Sequence, residues 1–211
     1  MKLMNNVSKE EKKLIRKMFW RSGAMYASVN PVTMGGGGFC YSMIPFINHF
    51  YKDNEEKRRE ALARHVKYFS TTIPMASFVM GIAGSMEKEN SEKTDFDAGS
   101  INSIKLSLMG PLAGIGDTIG WAMIPTIFGS IAASMGMEGN PLGIFLWAAF
   151  TFVFLVVRIL QYEWGYGMGV NVITKFGKQI TVFTEACSVL GLTVVGSLVA
   201  TVVKLSTGLQ F

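Results

Sequence analysis

Charge is what this sequence has least of. Only 17% of its 211 residues are Asp, Glu, Lys or Arg, against about 25% in an average globular chain. That is too little to coat a soluble domain of this size. Cysteine is scarce as well: Cys40 and Cys187 both sit in apolar tracts, which excludes a disulfide framework. The two histidines, His49 and His65, stand far apart with no carboxylate or Cys at ligand spacing, so no metal site is expected. No lysine follows a glycine run in the Walker pattern. The glycines of "GIGDTIG" are spaced GxGxxxG and miss the dinucleotide fingerprint. No Ser/His/Asp or Cys/His set stands out, so no catalytic residue and no cofactor are expected.

The charge that is present falls into short blocks: residues 1–21, 52–67, 87–105, and scattered positions after Arg158. Between them run tracts 22–51, 68–86, 106–137 (Asp117 excepted), 139–157 and 186–203, all without formal charge. A helix that crosses a bilayer needs about 20 mostly apolar residues, with a range of roughly 17–25. The pattern therefore reads as an all-α, polytopic helical membrane protein. A soluble helical domain with core helices apolar on every side is the competing reading. Residues 1–21 hold seven basic and two acidic side chains and supply almost all of the net charge of +5. Beside membrane spans, such a block marks a cytoplasmic segment rather than a nucleic-acid site. The same block has no apolar core of a cleavable signal.

Ser8 and Glu11 form a capping box ahead of "KKLIRKMFW". Leu14 with Met18 and Ile15 with Phe19 recur at i, i+4, and the basic residues take the other face. Residues 1–21 thus make an amphipathic helix, suited either to the membrane interface with Trp20 at headgroup depth or to a partner's groove. Tract 22–51 is uncharged, but Pro31, Gly35–Gly38 and Pro45 interrupt it, so a broken or re-entrant segment is expected. Asn54 caps a surface helix with a stripe of Leu62, Val66 and Phe69. Residues 87–105 read as a polar connector. Tract 139–157 is the cleanest span, and Tyr162, Trp164 and Tyr166 after it look like an interfacial aromatic belt.

The most informative stretch is "LSLMGPLAGIGDTIG", residues 106–120. Asp117 is the single charged side chain in 32 residues, 106–137. Pro111 has no N–H to give and clashes with the carbonyl of Ser107, so a straight helix loses about 3 kcal/mol there. Gly110 with Gly114 and Gly116 with Gly120 lie at i, i+4, a spacing that lets another helix approach closely. A kinked helix or helix–turn–helix packed on protein is expected. An ionised Asp at the bilayer centre costs on the order of 2.5–3.5 kcal/mol. Asp117 either caps the helix that restarts after the glycines or lines a polar path, bonding a hydroxylated substrate or a partner. The candidate site is Ser107, Gly110, Pro111, Gly114, Gly116 and Asp117.

"LMGPLAGIGD" (108–117) resembles the signature of the IID subunits of mannose/fructose/sorbose-class sugar phosphotransferase systems. "GFCYSMIPFINHFY" (38–51), "ARHVKYFST" (63–71), "DAGSINSIKLSLMGPLAGIGD" (97–117) and "EACSVLGLTVVG" (185–196) resemble family segments in the same order. The resemblance implies a multi-pass subunit of a bacterial inner membrane, N-terminus cytoplasmic. It would pair with a IIC subunit to pass a hexose-type sugar inward, and cytoplasmic IIB, charged by IIA, would phosphorylate that sugar. It further implies that phosphorylated histidines belong to IIA and IIB, so neither His49 nor His65 carries phosphate. Tract 28–38 lacks the charges of common mannose-type members. Family chains usually continue with another hydrophobic hairpin beyond Lys204. The expected organisation is one membrane domain, 1–211, with an amphipathic segment 1–21 and a membrane core 22–211 shortened at its C-terminus. A non-transporting scaffold or regulatory subunit is the alternative.

Overall fold

The computed structural model describes residues 7–117, 120, 124–169, 189 and 193. Seven α-helices account for most of them: α1 Lys9–Ser22, α2 Gly36–Phe50, α3 Glu55–Val66, α4 Ile73–Glu92, α5 Gly99–Ile115, α6 Ile124–Met137 and α7 Leu142–Met168. Among the described residues the extended backbone amounts to two isolated bridges, Asn30 with Met34 and Met34 with Phe69. The tract expected as a last span, 186–203, lies outside the described residues apart from positions 189 and 193.

The capping box forms as the sequence dictates. The Glu11 N–H donates to Ser8 Oγ at 3.1 Å, and the Ser8 N–H donates to Glu11 Oε2 at 2.7 Å. The apolar stripe of α1 does not reach outward, however. Leu14, Ile15, Met18 and Phe19 are buried in the chain's own core, whereas Trp20 is 79% exposed. Only the basic face and Trp20 remain for an interface.

Tract 22–51 breaks where Pro31 and the glycines fall. A 3₁₀ turn, Met25–Ser28, leads into an Asn30 turn in which Oδ1 accepts the N–H groups of Val32 and Thr33, both at 3.0 Å. α2 then starts at Gly36 and continues through Pro45. A Cβ at Gly38 would stand 2.1 Å from the Met25 carbonyl oxygen, and one at Gly36 would stand 2.4 Å from that of Lys67. The glycine run is therefore a close-approach surface within the first turn of a helix.

α4 is the centre of the packing, touching α1, α2, α5 and α7. It runs to Glu92, well into the segment expected as a polar connector, because Glu87 and Asn90 turn inward. α7 continues past Arg158 to Met168. Tyr162 and Tyr166, expected in an aromatic belt, are buried, while Trp164 is half exposed. Gly81 and Gly165 let these helices meet, since a Cβ at Gly165 would lie 2.2 Å from the Phe78 carbonyl oxygen. With 27 residues, α7 is roughly 40 Å long, more than the ~30 Å of a hydrocarbon core. Only 11% of its most apolar window is buried. Among the described residues it is the one helix long and apolar enough to cross a membrane.

Beyond the uncharged part of α4, Glu87 joins three helices. Its Oε1 meets the Arg64 guanidinium and, at 2.8 Å, His65 Nε2. Its Oε2 accepts from the Tyr51 hydroxyl at 2.7 Å, and Asn90 Nδ2 donates to the Tyr51 oxygen at 2.7 Å. Lys105 of α5 adds a longer bond of 3.4 Å to the Arg64 carbonyl oxygen and lies over the Phe39 ring. The buried face of α3 is thus Ala61, Arg64 and His65; Val66, expected in the stripe, is exposed. His65 is a packed core histidine rather than an interfacial one.

Burial disfavours the Glu87 carboxylate, yet the His65 hydrogen bond and the Arg64 charge hold it down to about 2. Glu11 is likewise held down to about 2, against its burial, by Lys88, Tyr166 and Ser8. Burial pushes the His65 imidazole below its ordinary value despite the pull of Glu87. All three groups bind protons more readily in the unfolded chain, so acid favours unfolding. The His65 contribution falls away as pH drops below 6.5, and the carboxylate contributions go between 4.5 and about 2. Thermal unfolding in detergent should therefore show a midpoint that declines steadily from pH 7 to pH 3. A midpoint that rises over that interval contradicts the assignment.

Candidate functional site

The break after α5 opens onto a cleft of about 370 Å³. Tyr26 comes from the 3₁₀ turn, Met34 and Gly35 from the loop before α2, Phe69–Thr72 from the link between α3 and α4, and Ala113 and Asp117 from α5 and its extension. The link is held in place by its backbone. Gly35 N–H donates to the Phe69 carbonyl at 2.9 Å, and Phe69 N–H donates to that of Thr33 at 3.2 Å. The Tyr26 hydroxyl donates to the Thr71 carbonyl at 3.2 Å. Met34, with φ of 49°, takes the left-handed conformation that lets the loop turn back on Phe69.

Thr71 and Thr72 are 5% and 3% exposed, and neither hydroxyl has a hydrogen-bond partner among the described residues. Thr72 stands at the N-cap of α4 without using its side chain as a cap. This departs from the usual role of Thr in that position.

α5 continues as helix through Pro111, and a π-type turn follows at Gly116–Asp117. Pro111 is buried. Gly116 is also buried, and a Cβ there would stand 1.8 Å from Thr72 Oγ1. Asp117 is exposed at the cleft edge. Ser107 is exposed and donates to the Ile104 carbonyl at 3.0 Å. Among the described residues a Cβ at Gly110 or Gly114 would meet nothing within 4 Å, so their spacing brings no described helix close. The structure thus brings Asp117 to the cleft and packs Gly116 against Thr72. It leaves Ser107, Gly110 and Gly114 on an open side of α5 and turns Pro111 inward. Whether Asp117 caps a following helix depends on residues 118–119 and 121–123, which lie outside the described residues.

Sequence reasoning missed Tyr26, Thr71 and Thr72. The available signal was "STTIP", three hydroxyl residues ahead of a proline in the first turn of a helix. Among the described residues no group of three His, Cys, Asp or Glu side chains is placed to hold a metal ion.

The described residues are helical apart from short links, and one helix among them is long and apolar enough to cross a membrane, the architecture of a helical membrane component. The profile of the PTS system mannose/fructose/sorbose family IID component matches residues 9–211. The chain is 37% identical over 195 residues to the mannose-specific EIID component of Escherichia coli K12, covering 90% of this chain and 69% of that one. It is 38% identical over 200 residues to the sorbose-specific EIID component of Klebsiella pneumoniae, covering 90% and 71%. A cryo-EM structure of the mannose transporter ManYZ with microcin E492 contains a chain that matches with a TM-score of 0.76 and 35% identity. That match covers 92% of this chain and 70% of that one. This protein belongs to the IID component family of mannose/fructose/sorbose phosphotransferase systems, and is a membrane subunit of such a sugar transporter.

The three glycines of α5 and its extension should respond differently to substitution. In the isolated chain, Gly110→Ala and Gly114→Ala should leave the unfolding midpoint nearly unchanged, within about 0.5 kcal/mol. Gly116→Ala drives a methyl into Thr72 and should cost about 1–3 kcal/mol. Equal effects from all three substitutions would contradict this packing.

Proposed function

We propose that this subunit pairs with a IIC subunit in a bacterial inner membrane and passes a hexose-type sugar inward. Cytoplasmic IIB, supplied by IIA, phosphorylates the sugar as it emerges. The chain itself is read as multi-pass, with its basic N-terminus on the cytoplasmic side, and phosphoryl chemistry is left to the partner proteins. One observation carries this reading. The single carboxylate in residues 106–137 emerges where α5 ends and lines a cleft with Tyr26, Phe69, Thr71 and Thr72. Ionisable groups inside apolar tracts of membrane proteins mark substrate paths and partner contacts, and broken helices mark transporter sites. His65 supports the division of labour, since the Glu87 cluster encloses it away from any phosphoryl donor.

Ser107, Gly110 and Gly114 then form the open side that a partner helix covers, while Gly116 and Asp117 serve the path. Asp117→Asn tests the assignment in cells carrying the whole permease. Uptake should fall about tenfold or more, the equivalent of one charge-assisted hydrogen bond, with the subunit still copurifying with its IIC partner. Loss of the complex would instead give Asp117 an assembly role. Unchanged uptake would favour a scaffold subunit that carries no sugar.

A further inference from the structure

We propose that the junction of α1 and α7 is a binding site for an anionic phospholipid. Arg158 meets the phosphate, Arg16 and Lys17 add charge around the headgroup, and the exposed apolar length of α7 takes the acyl chains. The starting observation is an arginine without a counterion. Arg158 is 8% exposed, and no carboxylate among the described residues lies within ion-pair distance of it. Its Nη2 donates to Ser22 Oγ at 2.9 Å, its Nε is buried without a partner, and its guanidinium lies 5.1 Å from the Phe19 ring centroid. Neither a hydroxyl nor a ring supplies negative charge. Nη1 makes no hydrogen bond with the described residues and is the nitrogen left open. Buried arginines are almost always paired, and a planar guanidinium fits phosphate oxygens well.

The surroundings fix where that missing anion lies. Leu142–Val157 is an uncharged run about 24 Å long at 1.5 Å per residue, and Arg158 is the first charge after it. Val156 and Val157 are 40% and 42% exposed, so the surface open to acyl chains reaches the level of the guanidinium. α1 then runs back along the last turns of α7, away from the apolar run. Ser22 meets Arg158, and eleven residues earlier Glu11 Oε1 accepts from the Tyr166 hydroxyl at 2.7 Å. Trp20, 79% exposed, therefore stands at the edge of the apolar run, the depth at which indoles collect. Arg16 and Lys17, both exposed, follow about one turn further out. Cations at this depth attract acidic headgroups over roughly a Debye length, about 8 Å at physiological salt. Lys9 lies about 16 Å along the helix from Trp20 and is outside that range.

The test uses the permease complex, purified in detergent and titrated with phosphatidylglycerol or phosphatidylcholine of the same chains. Retained lipid is counted by native mass spectrometry, and the unfolding midpoint is followed in parallel. Phosphatidylglycerol should be retained and raise the midpoint, whereas phosphatidylcholine and inorganic phosphate should do neither. Arg158→Gln should weaken phosphatidylglycerol retention about tenfold or more. The surface double variant Arg16→Gln with Lys17→Gln, which disturbs no packing, should weaken it several-fold, and Lys9→Gln should leave it unchanged. Equal retention of the two lipids, or wild-type retention in the double variant, overturns the proposal. So does an Arg158→Gln complex that loses its partner subunit yet keeps its lipid, since the guanidinium then faces a carboxylate of that partner. Each of these failures leaves the sugar-permease reading untouched, because sugar uptake is not what is measured.

Discussion

One buried carboxylate sets the geometry of the helical core. Glu87 cannot lie in an apolar interior uncompensated, and its two oxygens are met by Arg64, His65 and Tyr51. These partners come from α3 and from the end of α2, and Lys105 brings α5 to the backbone of Arg64. Removing one side of such a pair typically costs about 3–5 kcal/mol, although the pair itself adds little net stability. Its effect is to fix position. With its C-terminal half anchored, α4 has its N-terminus, and with it Thr71 and Thr72, set against the loop before α2 and the end of α5. The cleft is assembled at one end of α4 and the charge cluster at the other.

The same helix carries the second constraint. Gly81 and Gly165 bring α4 and α7 to backbone contact, so the apolar length of α7 stands directly beside the core. Beyond that contact α7 is covered on one side by α6 and is otherwise exposed from Leu142 to Val157, with Phe145, Phe152 and Val153 among the most open positions. In water such a surface would aggregate. In a membrane subunit it meets lipid or a neighbouring subunit, which fits the family to which the chain belongs.

The elements most legible in sequence were those fixed by short-range chemistry. Ser8 and Glu11 announce α1, Asn54 announces α3, and the uncharged run after Pro141 announces α7, because caps and hydropathy act within a few residues. Where tertiary contacts decide, the sequence misled. Residues 87–92 look like a solvated connector, yet Glu87 and Asn90 complete a network whose other members come from distant parts of the chain. Tyr162 and Tyr166 have the composition of an interfacial belt and instead lie against α4. Gly36 and Gly38 look like helix breakers and serve as flat ground for Met25 and Lys67. At the candidate site, Gly116 and Asp117 were legible from their oddity in an apolar tract. Thr71 and Thr72 were not, since a hydroxyl without a partner is a property of the fold and leaves no mark in composition.

On the proposed reading, the side of α5 carrying Ser107, Gly110 and Gly114, next to the Asp117 cleft, is sealed by another protein within the bilayer. The most direct measurement is a photo-crosslinking side chain at position 107, exposed on that side, activated in native membranes containing the assembled permease. A discrete adduct with a second membrane polypeptide of the complex is expected. Adducts with lipid alone would contradict it.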